Sequence, residues 1–442
     1  MDKLFHMSER GTSMGDELRA GLTTFLAMAY IIAVNPAVLS GAVIGADGKP
    51  MTGALVTATC VGAGIMTIIM GLAANRPLAC ASGLGVNAMI AAVTPTMCGG
   101  DWHEAMGIVF VEGVAILILV LCGLREKIME AIPVSLRHAI SVGLGLFIAM
   151  IGLVDAGIVV AGKGTIVTLG NVYSPTFIVG MLSIVITLIL SALHVNGAIL
   201  FGIIISVIIG IPLGVTTAPK GIVDALDFST VGAPFMTTKG VMGLAKVFAN
   251  PNALIFAFSL MMSDFFDTMG TAVAVAKNGE FLTKDGNVEN IREILVVDSA
   301  AAAVGGFMGV SSITTFVESA SGAADGGRTG LTSVTTGVLF IIAAFFAPVI
   351  SVVSTAATCG ALVYVGFLMM SEVQEIEWTD LLQGFPAFLT TAGIAMTYSI
   401  SAGIGLGFIA YGVTAVVTGK VKEIKPLMWV AIVAFIIYFL MS

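Results

Sequence analysis

Long apolar runs separated by short polar stretches occupy most of the chain. Each run has about 17 to 22 residues, the length that an α-helix needs to cross the hydrocarbon core of a bilayer. The composition agrees, because 57% of the 442 residues are hydrophobic, only 10% are charged, and the mean hydropathy is +1.06. A helix satisfies its own backbone polar groups in lipid. The sequence therefore predicts an all-α polytopic membrane protein.

The order of the runs predicts about 14 transmembrane helices in two sets of seven. The runs lie at 19–40, 52–74, 78–98, 104–122, 137–155, 175–193 and 197–214, and then at 252–276, 291–309, 311–325, 329–347, 355–371, 385–400 and 402–418. Because each set has an odd number of helices, the second set starts from the opposite side of the membrane, so the two repeats have inverted topology.

These repeats divide the chain into five predicted regions. They are a cytoplasmic N-terminus at 1–18, a first seven-helix repeat at 19–214, an extracytoplasmic linker at 215–251, a second repeat at 252–418 and a C-terminal segment at 419–442. Within the last region, the apolar run at 426–441 fits a short additional span, a re-entrant piece or an interfacial helix.

Positive charges predict the orientation. With the N-terminus in the cytoplasm, the 19 Lys and Arg residues fall on the inner side except Lys49, Lys163, Lys220, Lys239 and Lys246. This excess is the positive-inside pattern. The polar residues 1–18 contain no apolar core or small-residue cleavage site, so no removable signal peptide is expected. We predict a multi-pass protein of the cell (inner) membrane with a cytoplasmic N-terminus.

The third run of each repeat is too interrupted for an ordinary spanning helix. Residues 79–93 read ACASGLGVNAMIAAV, and residues 310–327 read VSSITTFVESASGAADGG. Glycine and polar residues at these positions predict discontinuous segments, in which a half-helix begins near the middle of the bilayer. Its first N–H groups lack partners within the helix and point into a cavity.

Three carboxylates lie inside predicted membrane segments. Asp264 and Asp267 are three residues apart on one helical face of the eighth segment, and Glu318 lies in the tenth. Each costs about 2.5 to 3.5 kcal/mol at the bilayer centre if it is charged and faces lipid. They therefore indicate a polar interior site. The alternatives are an aspartate pair that holds neighbouring helices together and a glutamate that caps its own half-helix.

Other polar positions have two interpretations each. Asn87 suits the edge of a heterocycle or a hydrogen bond between helices, and Gly85 permits close approach of a ligand or another helix. Glu112 and Asp298 fit helix packing as well as a site. The GGRTG stretch at 326–330 lacks the spacing of a phosphate loop and is interpreted as a turn. The five scattered cysteines show no metal spacing, so no metal or cofactor is expected, and no basic tract suggests nucleic acid.

Six motifs along the chain carry a family resemblance. They read GLTTFLAMAYIIAVNPAVLS (21–40), SGLGVNA (82–88), GLREKIMEAIP (123–133), SDFFDTMGT (263–271), TTFVESASGAADGGRTGLT (314–332) and TYSISAGIGLGFIAYG (397–412). Together they resemble the nucleobase/ascorbate transporters, and within them the AzgA-like guanine/hypoxanthine (adenine) permeases. The resemblance implies a core domain at about 19–122 plus 252–347 and a gate domain at about 137–214 plus 355–418. It also implies short strands in discontinuous helices 3 and 10, which cross at the substrate site.

The resemblance further implies which residues bind a purine. They are Gly85 and Asn87 in helix 3, Asp264 and Asp267 in helix 8, and Glu318 in helix 10, with Phe316 beside the base. We expect a secondary active transporter that imports guanine, hypoxanthine or adenine by proton symport. The proton is expected on Glu318, together with one of the two aspartates.

Two other functions compete with this one, a uracil/xanthine-type permease and a passive facilitator or channel. An enzyme is not expected, because the sequence has no nucleophile motif, metal cluster or sizeable soluble domain. The expected partners are a purine nucleobase, a proton and the lipid bilayer, with a homodimer as a possible assembly.

Overall fold

The structure is a computed structural model, which describes residues 2–123, 131–162, 164–195, 197–219, 221–238, 240–282 and 288–441. Three of the predicted outer lysines (Lys163, Lys220 and Lys239) and most of the GLREKIMEAIP motif lie outside the described residues. Helices form most of the described chain, as the apolar runs predict.

The first half of the chain contains nine described helices and three short strands. Their bounds are α1 Asp2–Phe5, α2 Met14–Met28, α3 Ile31–Leu39, α4 Thr52–Ala74, β1 Cys80–Ser82, α5 Leu84–Thr96, α6 Trp102–Leu121, α7 Val134–Asp155, β2 Val159–Val160, β3 Thr168–Leu169, α8 Pro175–Ala192 and α9 Ala198–Gly210. Helices α2 and α3 together form the first membrane segment, which is interrupted at Tyr30. Strands β2 and β3 form an antiparallel hairpin.

The second half repeats this pattern after a connecting region. Its bounds are β4 Thr237–Thr238, β5 Val241–Met242, α10 Gly243–Ala249, α11 Pro251–Asn278, α12 Ile291–Met308, β6 Ile313–Thr315, α13 Ser319–Ala324, α14 Gly330–Ala343, α15 Ala347–Ile350, α16 Thr355–Met369, α17 Leu381–Thr397, α18 Ile400–Val417 and α19 Pro426–Met441. Short 3₁₀ helices lie at Ala233–Phe235, Ala344–Phe346, Met370–Glu375 and Val421–Glu423. The described part of the predicted linker thus contains a hairpin, β4–β5, the 3₁₀ helix Ala233–Phe235 and the short helix α10.

By length and apolar composition alone, seven helices of the described chain can cross a membrane, or eight if the bent pair α10–α11 is counted as one span. The other predicted segments give shorter helices or carry more charge. Helix α5 is shortened by the strand that precedes it, and α12 contains Arg292, Glu293 and Asp298. The C-terminal run forms helix α19, which packs against α11 and α18.

The helices pack as two bundles. In the first bundle α14 contacts both α2 and α4, and α12 joins α4 to α6. In the second bundle α7 lies against α16 and α17, α16 contacts α8 and α9, and α17 contacts α18. Helices α3, α5 and α11 connect the two bundles through contacts with α7, α16 and α18.

Small residues allow close helix packing within each bundle. A Cβ added at Gly64 would lie 2.7 Å from the carbonyl oxygen of Gly337, which joins α4 to α14. A Cβ at Gly366 would lie 2.4 Å from the carbonyl oxygen of Gly145, which joins α16 to α7. In lipid, where apolar burial drives helix association weakly, such close backbone contacts stabilise the bundle.

The two ends of the first bundle carry separate ionic clusters. At one end Glu289 accepts hydrogen bonds from Arg10 at 2.7 Å and from Arg76 at 2.6 Å. At the other end Asp101 caps α6 and binds Lys246 and His103. Helix α4 runs from the second end to the first. We call these the N-terminal end and the Lys246 end.

Candidate functional site

The two crossing strands, β1 and β6, are fully buried. Strand β1 pairs antiparallel with β6, with Cys80 opposite Thr315 and Ser82 opposite Ile313. The backbone N–H of Gly83 extends the ladder by donating to the carbonyl of Ser312 at 2.9 Å. Each strand leads directly into a half-helix, α5 after β1 and α13 after β6. This arrangement agrees with the two discontinuous segments that the sequence predicts.

The turn before β6 depends on an uncommon backbone conformation. Ser311 has a φ of +71°, in the left-handed region that residues with a side chain seldom adopt. A Cβ added at Gly305 would lie only 2.1 Å from the carbonyl oxygen of Ser311, so α12 and the turn approach each other very closely. Backbone strain of this kind is concentrated at functional sites.

A buried carboxylate holds β6 in position. Asp298 on α12 accepts hydrogen bonds from the backbone N–H of Thr315 at 3.0 Å and from the hydroxyl of Thr314 at 3.1 Å. The hydroxyl of Thr268 on α11 lies 2.7 Å from its other oxygen. The sequence is compatible with Asp298 in helix packing or in a site, and the structure shows that this residue connects β6 to the two helices α11 and α12.

A cavity of about 540 Å³ lies beside the crossing strands, between the two bundles. This volume is typical of small-molecule sites. One wall is formed by the first bundle together with α5 and α11 and contains Tyr30, Gly83, Leu84, Gly85, Asp267, Thr271, Thr315, Phe316, Val317, Glu318, Ala320 and Ser321. The opposite wall belongs to the second bundle and contains Ser141, Leu144, Ile148, Val365, Leu368, Met369, Ser371 and Glu372.

Four of the six predicted site residues line this cavity. Gly85, Asp267, Phe316 and Glu318 come from three separate segments and share the same wall. The carboxyl group of Asp267 lies close enough to Glu318 for the charge of one to act on the other. The site thus combines two carboxylates, an aromatic ring and the start of the third segment's half-helix at Gly85.

Asn87 and Asp264 are not among the residues that line the cavity. Asn87 follows Gly83 by one helical turn and is fully buried, and neither polar atom of its amide group has a hydrogen-bond partner among the described residues. Asp264 is also buried, one turn before Thr268, whose hydroxyl donates to the Asp264 carbonyl at 2.9 Å. Both lie behind the cavity wall in this conformation.

The structure adds a site residue that the sequence analysis did not select. The hydroxyl of Tyr30 donates to Oε1 of Glu318 at 2.5 Å, a short hydrogen bond of the charge-assisted kind. Tyrosine in membrane helices is usually concentrated near the interfaces. A tyrosine in the middle of the first apolar run, in AMAYIIAV, is therefore unusual and indicates a polar contact inside the membrane segment.

Gly85 brings the half-helix α5 against the second bundle. A Cβ at this position would lie 2.7 Å from Cδ2 of Leu144 on α7, which also lines the cavity. A side chain here would have to displace Leu144. The glycine therefore sets the distance between the two walls at the site.

Comparison with known proteins identifies the family. Residues 15–406 match the model of a family described as "Permease family". The chain is 39% identical to the guanine/hypoxanthine permease PbuO of Bacillus subtilis, over 98% of this chain and 99% of that protein. It is 37% identical to PbuG, a second guanine/hypoxanthine permease of that organism (100% and 99% covered), and 36% identical to the adenine permease AdeP of Escherichia coli (99% and 95% covered).

Solved structures share the fold at low sequence identity. The transmembrane domain of the cyanobacterial bicarbonate transporter BicA matches with a TM-score of 0.61 at 16% identity, over 95% of this chain and 97% of that one. The murine anion transporter Slc26a9 matches with a TM-score of 0.64 at 12% identity, over 92% and 69%. These likenesses confirm the predicted fold of two inverted repeats with discontinuous helices. The full-length relatives confirm the family: this chain is a multi-pass membrane permease that belongs to the nucleobase/ascorbate family, in the branch of the guanine/hypoxanthine and adenine permeases.

Proposed function

We propose that this permease imports purine nucleobases, namely guanine, hypoxanthine or adenine, across the cell (inner) membrane by proton symport. The observation that carries the proposal is the position of Asp267 and Glu318 in one cavity beside the crossing strands. Carboxylates accept hydrogen bonds from ring and exocyclic N–H groups, and they also take up protons. The names of the full-length relatives support purines as the substrate class.

The chemistry of the cavity suggests how a purine is bound. Glu318 accepts a hydrogen bond from Tyr30 through Oε1, so Oε2 is the oxygen that we assign to an N–H group of the base. Phe316 provides an aromatic side chain in the same wall, and Gly83 and Gly85, which line the cavity, have no side chain to keep a base away from the backbone. Carboxylate and aromatic groups of this kind can also bind uracil or xanthine, so the choice among bases rests on competition measurements.

Alternating access follows from movement of the two bundles. We propose that the first bundle is the core domain, at about 19–122 plus 252–347, and that the second is the gate domain, at about 137–214 plus 355–418. The substrate site travels with the core wall, while the gate wall covers it from alternate sides. The N-terminal end is assigned to the cytoplasm, in agreement with the positive-inside pattern.

One proton per neutral base supplies enough energy for accumulation. A single positive charge that moves inward across 100 mV releases about 2.3 kcal/mol, which supports a gradient of roughly 50-fold. In this scheme Glu318 takes the coupling proton, with Asp267 as the second titratable group of the cavity. Asp264 and Asn87 are proposed to join the site only when the core wall rearranges around a base.

Uptake of labelled hypoxanthine tests the proposal. Competition by unlabelled guanine, adenine, xanthine and uracil ranks the substrates, and an uncoupler separates symport from facilitated diffusion. The proposal predicts strong competition by guanine and adenine and loss of accumulation with the uncoupler. Strong competition by uracil or xanthine would support the uracil/xanthine-type permease. Uptake that the uncoupler leaves unchanged and that never raises hypoxanthine above its outside concentration would support the passive facilitator or channel.

A further inference from the structure

The second bundle contributes one carboxylate to the cavity. Glu372 lies in the 3₁₀ helix that follows α16 and lines the cavity opposite Asp267 and Glu318. It is close enough to Asp267 for its charge to act on that carboxyl group. The cavity therefore has two carboxylates on the proposed core wall and one on the proposed gate wall. Glu372 is not among the groups that we propose to bind the purine.

A histidine of the second bundle holds this carboxylate. Nδ1 of His138 on α7 lies 3.2 Å from Oε2 of Glu372, so α7 and the 3₁₀ helix meet at this contact. His138 precedes Ser141, another cavity residue, by three positions, so the two lie on the same helical face. The side chains remain partly open to solvent, at 28% for His138 and 38% for Glu372.

The position of this pair marks the route to the N-terminal end. From Glu318 the cavity wall continues to Ser321, which is exposed, and α13 then leads to exposed Ala324 and to Arg328 at that end. On the other wall Ser371 is exposed beside Glu372, and Glu375, which does not line the cavity, is exposed one turn further along the 3₁₀ helix. The His138–Glu372 pair thus lies between the substrate carboxylates and the solvent at the end that we assign to the cytoplasm.

Few other charged groups surround the pair in the described chain. Arg137, next to His138, donates from Nε to the carbonyl of Ile132 at 2.9 Å. Glu375, Glu377 and Asp380 follow Glu372 in the sequence and are exposed or half-buried. Asp267 and Glu318 face the pair from the opposite wall. Within the described residues, His138 thus provides a basic group in hydrogen-bond contact with Glu372.

We propose that Glu372, positioned by His138, is the proton-release group that accepts the coupling proton from the core carboxyls and passes it to water at the cytoplasmic end. This inference rests on the proposed symport. In the transfer, the O–H bond of protonated Glu318 or Asp267 breaks and an O–H bond forms on Glu372, by way of cavity water. The proton then leaves Glu372 for solvent, and the adjacent imidazole stabilises the carboxylate that remains. The empty carrier can then return outward.

Net accumulation and exchange, measured separately, distinguish a role in proton release from a role in substrate binding or folding. Net accumulation requires proton release in every cycle, whereas exchange of labelled for unlabelled hypoxanthine across the membrane can proceed with the carrier still protonated. In liposomes that contain the full-length protein, we expect Glu372→Gln to lower proton-driven accumulation by about tenfold or more, while exchange stays near the wild-type rate. Glu372→Asp should restore part of the accumulation, because it keeps a titratable group.

Glu375→Gln is the matched control, because it removes an exposed carboxylate one turn away and should leave both activities unchanged. Wild-type accumulation in Glu372→Gln would overturn the proposal. Equal loss of accumulation and exchange would also overturn it, since Glu372 would then bind substrate or support the fold.

If Glu372→Gln does not insert into the membrane, His138→Gln provides the test. This variant should shift the pH profile of accumulation and retain exchange. A wild-type protein that exchanges hypoxanthine but never accumulates it would instead refute the symport itself.

Discussion

The hydrogen bond between Tyr30 and Glu318 gives the sharpest test of the site. Tyr30→Phe removes one hydroxyl group and leaves the ring, so the shape of the cavity is preserved. The bond is 2.5 Å long and joins the interrupted first segment to the start of α13. Without it, Oε1 of Glu318 loses its donor, and the carboxylate is free to turn away from the position in which it meets the base.

The size of the effect follows from the surroundings of Glu318. Hydrogen bonds to charged groups contribute about 1.5 to 3 kcal/mol to stability. Because Glu318 lines a cavity of about 540 Å³, which is large enough to admit water, solvent can replace part of the lost interaction, and the lower figure applies. A loss of about 1.4 kcal/mol corresponds to a factor of ten in affinity. We therefore expect the Kd for hypoxanthine to rise roughly tenfold.

Binding of hypoxanthine to purified protein, measured by calorimetry, gives this value directly. The control is Tyr398→Phe, which alters a tyrosine that packs on Phe147 and does not line the cavity. Its Kd should match that of the wild type. An unchanged Kd in Tyr30→Phe would refute the argument that this hydroxyl positions the substrate carboxylate.

Three further predictions concern the support of the site and of the fold. Asp298→Ala leaves the backbone N–H of Thr315 without its acceptor and should lower the melting temperature and abolish uptake. Asp298→Asn keeps one acceptor oxygen, so a thermal-shift assay should show a smaller fall in its melting temperature. Glu17 is fully buried and accepts hydrogen bonds from the backbone N–H groups of residues 328, 329 and 332, so it caps α14 from another helix. Glu17→Ala should lower the free energy of unfolding by about 2 to 5 kcal/mol. Its melting temperature should therefore be lower than that of the exposed control Glu9→Ala. Burial acts to raise the pKa of Asp101, but hydrogen bonds from Lys246 and His103 outweigh it and hold the pKa below its usual value. This contribution to stability is present above about pH 4 and is lost as the pH falls through the lower folded-state pKa. At acid pH, thermal stability should therefore fall less steeply in Asp101→Asn than in the wild type. Identical acid profiles for the two proteins would contradict this assignment.

Local sequence patterns predict much of the fold. Apolar runs of membrane length correspond to helices, and the glycine and polar residues of the third and tenth segments correspond to strands β1 and β6. The carboxylate of Glu318 stands out because charge is costly in a membrane segment. Each of these signals lies within a single stretch of chain, so it can be read without knowing which helices are neighbours.

Contacts between distant segments were much harder to predict. Asp264 and Asp267 are separated by about 60° around their helix, and only the packing of α11 decides that Asp267 faces the cavity. Tyr30 and Glu372 meet the site from the first and twelfth segments, and no local periodicity connects them to Glu318. The GGRTG stretch was interpreted as a turn, and the structure shows that Glu17 caps the helix that begins there.

The most direct test of the account is the joint movement of a proton and a purine. Full-length protein is reconstituted in liposomes that contain a pH-sensitive dye, and hypoxanthine is added outside. The wild type and Glu375→Gln should acidify the interior as the labelled base enters, and Glu318→Gln should do neither above the level of empty liposomes. Entry of the base without acidification in the wild type, or acidification that persists in Glu318→Gln, would contradict the assignment of Glu318 as the residue that binds the base and carries the proton.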